Sequence, residues 1–194
     1  MIFAGACFWQ SVQANVPAEP SEPTLPPRHI VVPAGARKAI FAGGCFWGVQ
    51  EDFRTIPGVV DTRAGYTGGY TKSPTYESLH SSTTRHVEAV EVTYDPSVVG
   101  FEKLVNVFFA KHDPTLPSAK GQGIGKQYHS FIFFHEASQE VIALKVVRQL
   151  TYTHQYPGAP SPIVTQIQPA QTFWPAEEHH QFYYEKRGMR SCRL

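Results

Sequence analysis

The chain has 194 residues, 42% of them hydrophobic and 13% aromatic, enough for one domain with a real core. A formal charge of +1 gives no electrostatic case for nucleic acid or a charged membrane, and no apolar run is long enough to span a bilayer. The three cysteines, Cys7, Cys45 and Cys192, lie too far apart for a disulfide scaffold and fit neither a CxxC redox motif nor a zinc site. A reducing, cytoplasmic compartment is therefore the expectation, with an organellar address left open.

Residues 1–37 read as a flexible Pro-rich extension ahead of one folded domain over 38–194. Ile2 to Trp9 nearly repeats Ile40 to Trp47, with Ala6 where the second copy has Gly44. No partner strands follow the first copy, so it reads as a partial motif and Cys7 as an idle thiol. In the second copy, Ala39-Ile40-Phe41-Ala42 predicts a short buried strand. Phe46, Val49, Phe53 and Ile56 recur at helical spacing after it, and Pro57-Gly58 closes the segment. Gly43 and Gly44 permit a tight strand-to-helix turn. Cys45 then falls at a helix N-terminus, where free N–H groups favour an anion and should lower the thiol pKa. A lone cysteine in an apolar setting is commonly inert, so these features only tilt Cys45 toward a nucleophile.

Further on, 58–66 predicts a strand, and 74–80 a short helix or turn carrying Tyr76. Val87 to Tyr94 alternates as a strand, with Glu88, Val90 and Val92 on one face and Glu91 on the other, toward solvent. A carboxyl group on an apolar face is a proton donor if buried, and a wet strand end if not. Phe101, Leu104, Val105, Phe108 and Phe109 mark an amphipathic helix that ends before His112. A glycine-rich loop over 121–125 lacks the signature of a phosphate loop. After it come a strand over 128–134, a helix over 136–152, a final strand over 163–168 and a short helix over 175–185. The nine histidines show no metal-binding spacing, so no metal and no bound cofactor are expected. The alternation of elements argues one α/β-type domain with helices against a sheet; the fold class expected is α+β, a single domain with a mixed sheet, helices packed on it and an irregular C-terminal tail.

In this order, Gly44-Cys45-Phe46-Trp47-Gly48, Gly65-Tyr66-Thr67-Gly68-Gly69, Pro74-Thr75-Tyr76, His86-Val87-Glu88, His112-Asp113-Pro114, Gly125-Lys126-Gln127-Tyr128 and His180-Gln181 resemble the A-type peptide methionine sulfoxide reductases. The resemblance covers about 38–192. It implies a ferredoxin-like core and reduction of the S-epimer of methionine sulfoxide, free or in peptides. By the same resemblance Cys45 is the nucleophile and Glu88 the acid that protonates the sulfoxide oxygen. Tyr76 and Tyr128 hydrogen-bond that oxygen, and Phe46 and Trp47 hold the S-methyl group. Cys192, twelve positions after His180, resolves the Cys45 sulfenic acid as a disulfide, and thioredoxin reduces it. The implied partners are oxidised proteins or peptides, free methionine sulfoxide and thioredoxin, with a monomer as the default and neither nucleic acid nor membrane. Family members usually carry aspartate where this chain has Gly123. Two other readings stand beside the reductase: a binding protein for oxidised methionine with impaired turnover, and a cysteine hydrolase with a histidine base such as His86.

Overall fold

In the computed structural model, residues 28–81, 84–115, 126–153 and 162–189 are described. Cys7, Gly123 and Cys192 lie outside them, as do the glycine-rich loop and the chain beyond Met189. Among the described residues five α-helices and six strands make one α+β domain. The strands are β1 (Arg37–Ala42), β2 (Val59–Thr67), β3 (Val87–Tyr94), β4 (Phe131–Phe134), β5 (Gln166–Pro169) and β6 (Trp174–Pro175). The helices are α1 (Phe46–Arg54), α2 (Tyr76–His80), α3 (Phe101–Lys111), α4 (Ala137–Tyr152) and α5 (Tyr183–Lys186).

The sheet runs in the order β5-β4-β1-β3-β2-β6, and only the β4–β5 pair is parallel. Its central order β4-β1-β3-β2, with α1 after β1 and α3 after β3, is the split βαβ arrangement of a ferredoxin-like core. The two-residue alternation of the strands sorts their side chains into two layers. Ala39, Phe41, Val90, Val92 and Tyr94 face the helices, where Phe41 stacks on Phe53 and meets Phe101 and Phe108. Ile40, Ala42, Val87, Ala89 and Phe133 form a smaller cluster on the other face. That second layer accounts for a departure from expectation at Glu91. Its side chain is 13% exposed and bonds Lys38 Nζ at 2.8 Å, so it is paired and largely covered rather than solvated.

Three other elements differ from their predicted form. Tyr128 sits in a 3-10 turn, Lys126–Tyr128, and the strand begins only at Phe131. β5 is not the last strand, because Trp174–Pro175 adds to the edge of β2. The expected helix over 175–185 is broken into a 3-10 turn, Glu178–His180, and the single turn α5, with Phe182 between them at φ 52. The break turns Gln181 inward. Its amide accepts from Ala64 N–H and donates to Ala64 O and Ala176 O, while its oxygen also accepts from Gln50 on α1. Gln50 in turn donates to Thr62 O and accepts from Phe182 N–H, so two buried amides tie β2, α1 and the C-terminal segment together. Gln181→Ala leaves several of these buried groups without partners and is expected to cost about 3 kcal/mol or more, read by urea unfolding.

No helix among the described residues is long and apolar enough to cross a membrane. Residues 28–36, before β1, are largely exposed. Arg28 there pairs with Glu185 and lies over the Phe182 ring at 4.0 Å.

Candidate active site

β1 delivers the chain to the centre of the sheet, and the glycines turn it into α1. Gly44 has φ +93, the left-handed region that an L side chain enters only with strain. Alanine, present at the matching place in the first copy, would be strained in this turn. Gly43 has a different reason: a Cβ there would stand 2.6 Å from the Phe108 ring.

Cys45 is the N-cap residue of α1, with extended backbone angles and no side-chain cap bond. Its sulfur is within reach of the Trp47 and Gly48 N–H groups, which favour the thiolate as the sequence implied. Burial outweighs them, and the charge of Glu88 adds to it. The thiol pKa is pushed up to about 11, the reverse of the lowered value expected from the helix start alone.

Glu88, on the helix-facing side of β3, is 1% exposed. Oε2 accepts the Phe46 N–H at 3.0 Å, while Oε1 is buried without a partner among the described residues. Burial raises its carboxyl to about 7, with the Phe46 bond working in the opposite direction. Tyr76 begins α2, behind the Thr75–Ser78 capping box. Burial, then the charges of Glu88 and Cys45, push its phenol up. On its 3-10 turn, Tyr128 is raised to about 12 by burial and by the charges of Glu88, Tyr76 and Cys45. The four groups come from four separate elements and feel one another's charge. Phe46 is enclosed by Trp47, Tyr66, Tyr76 and His180. Trp47 is half-buried, its ring parallel to Tyr183 at 3.6 Å and its indole N–H donating to His180 Nδ1 at 3.1 Å.

Three side chains around this group were not singled out from the sequence. Tyr66 is cross-strand from Glu88 and fully buried, and its phenol donates to Glu177 Oε2 at 2.7 Å. Glu177 Oε1 accepts the Tyr76 N–H at 3.0 Å, which holds the start of α2. His180 packs on both Tyr76 and Phe46, with ring centroids 4.4 and 5.3 Å apart. Tyr66 and His180 stood inside quoted motifs, so their positions could have been flagged. Glu177 carried no periodic or motif signal.

The arrangement sets an oxidisable, ionisable sulfur beside a carboxyl group that titrates near neutrality, with two phenols around them. That combination can protonate and stabilise an oxygen while sulfur attacks. The histidine named above as a hydrolase base is engaged elsewhere. His86 Nδ1 accepts the Gly69 N–H and its Nε2 donates to Thr71 O, and His112 is held by Phe108 O and Ser130 Oγ. Among the described residues no cluster of three or more His, Cys, Asp or Glu side chains could hold a metal ion.

Residues 37–194 match the family model described as peptide methionine sulfoxide reductase. The peptide methionine sulfoxide reductase MsrA of Geobacter sulfurreducens is 51% identical over 157 residues, 80% of this chain and 94% of that protein. Methionine sulfoxide reductase A of Corynebacterium diphtheriae superposes with a TM-score of 0.74 at 33% identity, over 82% of this chain and 79% of that one. Mxr1 of Saccharomyces cerevisiae in complex with Trx2 superposes with a TM-score of 0.54 at 25% identity, over 78% and 86%.

Proposed function

The chain belongs to the peptide methionine sulfoxide reductase family, and from that premise we propose how its residues divide the work. The activity is thiol-dependent reduction of methionine sulfoxide, with peptide-methionine (S)-S-oxide as substrate. The Cys45 sulfur gives an electron pair to the sulfoxide sulfur while Glu88 delivers a proton to the oxygen. Tyr76 and Tyr128 donate hydrogen bonds to that oxygen as charge collects on it. The protonated oxygen then moves to the Cys45 sulfur as its bond to the methionine sulfur and the new sulfur–sulfur bond both break, one electron pair staying on methionine; Cys45 is left as a sulfenic acid and methionine leaves reduced by two electrons. Trp47, with Phe46 packed behind it, forms the apolar wall for the S-methyl group.

The resolving step needs a second thiol, and Cys192 supplies it. Glu88, left as a carboxylate by the first step, regains a proton from solvent as the Cys192 thiol gives one up; the Cys192 thiolate attacks the Cys45 sulfur, the hydroxyl leaves as water with the Glu88 proton, and a disulfide remains. Thioredoxin reduces that disulfide in our reading, supported by the Trx2 complex of the yeast neighbour. The observation that carries the proposal is Glu88, a buried carboxyl held by the Phe46 N–H with its second oxygen unpartnered among the described residues, beside Cys45.

The test is a single-turnover assay on separated epimers, followed by thiol counting, in a Cys7→Ser background. Cys192→Ser is expected to release one methionine per chain from the S-epimer and then stop in the presence of thioredoxin. Continued cycling would remove Cys192 from the resolving role. A binding protein would release no methionine at all.

A further inference from the structure

A cleft of about 170 Å³ opens between α1 and α3, and Cys45 lies in its wall. Val49, Asp52, Val107, Phe108 and Tyr184 line it as well. None of Glu88, Tyr76, Tyr128, Phe46 or Trp47 does, so the cleft meets Cys45 away from those groups. We propose that this cleft receives the chain segment beyond Met189, and that Cys192 attacks the Cys45 sulfenic acid through it. The proposal rests on the resolving role of Cys192 given above.

Two observations support this occupant. The first is the stereochemistry of attack at sulfur. A thiolate displaces a group from sulfur in line, approaching opposite the bond that breaks. The sulfenic oxygen comes from the substrate and is left on the side of Glu88 and the two phenols, where its proton is supplied. The incoming thiolate must therefore come from the other side, and the α1–α3 cleft opens there. Bond making and proton transfer are then served by different faces of one sulfur.

The second is where the described chain ends. Tyr184 is part of the cleft wall, and the Met189 N–H bonds back to Tyr184 O at 2.9 Å. Gly188, at φ +61, makes that reversal. The tail therefore starts at the cleft. Cys192 follows three residues later, a reach of about 11 Å for an extended chain. The apolar walls from Val49, Val107 and Phe108 suit the flank of a short peptide, and the Asp52–Lys111 pair at 3.3 Å bridges the two helices beside it.

Val107 is half-buried on α3 and belongs to neither the substrate pocket nor the proton-transfer group. In a Cys7→Ser background, Val107→Trp should leave the amplitude and rate of the methionine burst unchanged. Formation of the Cys45–Cys192 disulfide should slow by about tenfold or more, as an overfilled contact imposes. The sulfenic acid should accumulate, read by trapping with a cyclic dione. Val107→Phe should give a smaller change in the same direction. Disulfide formation at the parental rate in Val107→Trp overturns the route while leaving the resolving role intact. Loss of the burst in both variants would put the cleft on the substrate's path, which also overturns it. A parent chain that forms no Cys45–Cys192 disulfide removes the resolving role and the route together.

Discussion

Glu88→Gln is expected to slow the first chemical step by about 10²- to 10⁴-fold, the usual contribution of a positioned general acid. The glutamine keeps the bond from the Phe46 N–H but has no proton of suitable acidity to give. The pH profile carries more information than the rate alone. With the carboxyl at about 7 and the thiol at about 11, the pair holds one proton between those values. The productive form, Glu88 protonated and Cys45 ionised, has that same proton count. Single-turnover rates at limiting substrate should therefore rise through about pH 7, stay level, and fall through about pH 11. A rate that fell through pH 7 instead would mean the neutral thiol attacks. In Glu88→Gln the lower limb at 7 should vanish. The thiol should also alkylate more readily, because the neighbouring negative charge that helps raise its pKa is gone.

The same substitution should change stability, and its sign follows from proton linkage. A glutamate at its ordinary 4.5 when unfolded and at about 7 when folded holds more protons in the folded state between those values. Stability is then lost as pH rises from 4.5 to about 7 and stays lost above it. At about 1.4 kcal/mol per tenfold in proton affinity, the native chain gives up roughly 3 kcal/mol at alkaline pH. Glu88→Gln should be the more stable protein at pH 8, by thermal unfolding, and lose that advantage near pH 4. A chain that is destabilised in order to keep an acid neutral at its site illustrates the conflict between function and stability.

Cys45→Ser is expected to abolish the reaction, a loss on the order of 10⁴-fold or more. An alcohol oxygen cannot be oxidised to the counterpart of a sulfenic acid, so the two electrons that reduce the substrate have no source. Unfolding cannot account for the loss. Serine is among the best N-cap residues, and the Cys45 side chain makes no cap bond in the native helix. The melting temperature should stay level or rise while methionine release disappears. Reduction by Cys45→Ser at even a modest rate would place the nucleophile elsewhere.

The sequence carried most of the frame because local patterns specify it. The two-residue alternation of Val87 to Tyr94 placed Glu88 on the helix-facing side of its strand, and the strand has those same bounds. Helical spacing after Cys45 and the glycines before it located the turn into α1. Local pattern failed where a distant segment supplies the partner. Gln181 breaks the helix expected over 175–185 because its amide is needed by Ala64 on β2, more than a hundred residues away in the chain. Tyr128 leaves the strand pattern for a 3-10 turn. Glu177 gains its place from Tyr66 and Tyr76.

What the residue order settled by itself was which groups are present, which face each strand residue takes, and the family to which the ordered motifs belong. The tertiary structure decided their electrostatics and their access. The helix N-terminus pulls the Cys45 thiol toward ionisation, yet burial and the Glu88 charge overcome it. Desolvation depends on everything packed around a group, and no local pattern records that sum. Only the folding of α3 against α1 opens the cleft that Cys45 lines, since its walls come from segments about sixty residues apart, beyond the reach of any periodicity.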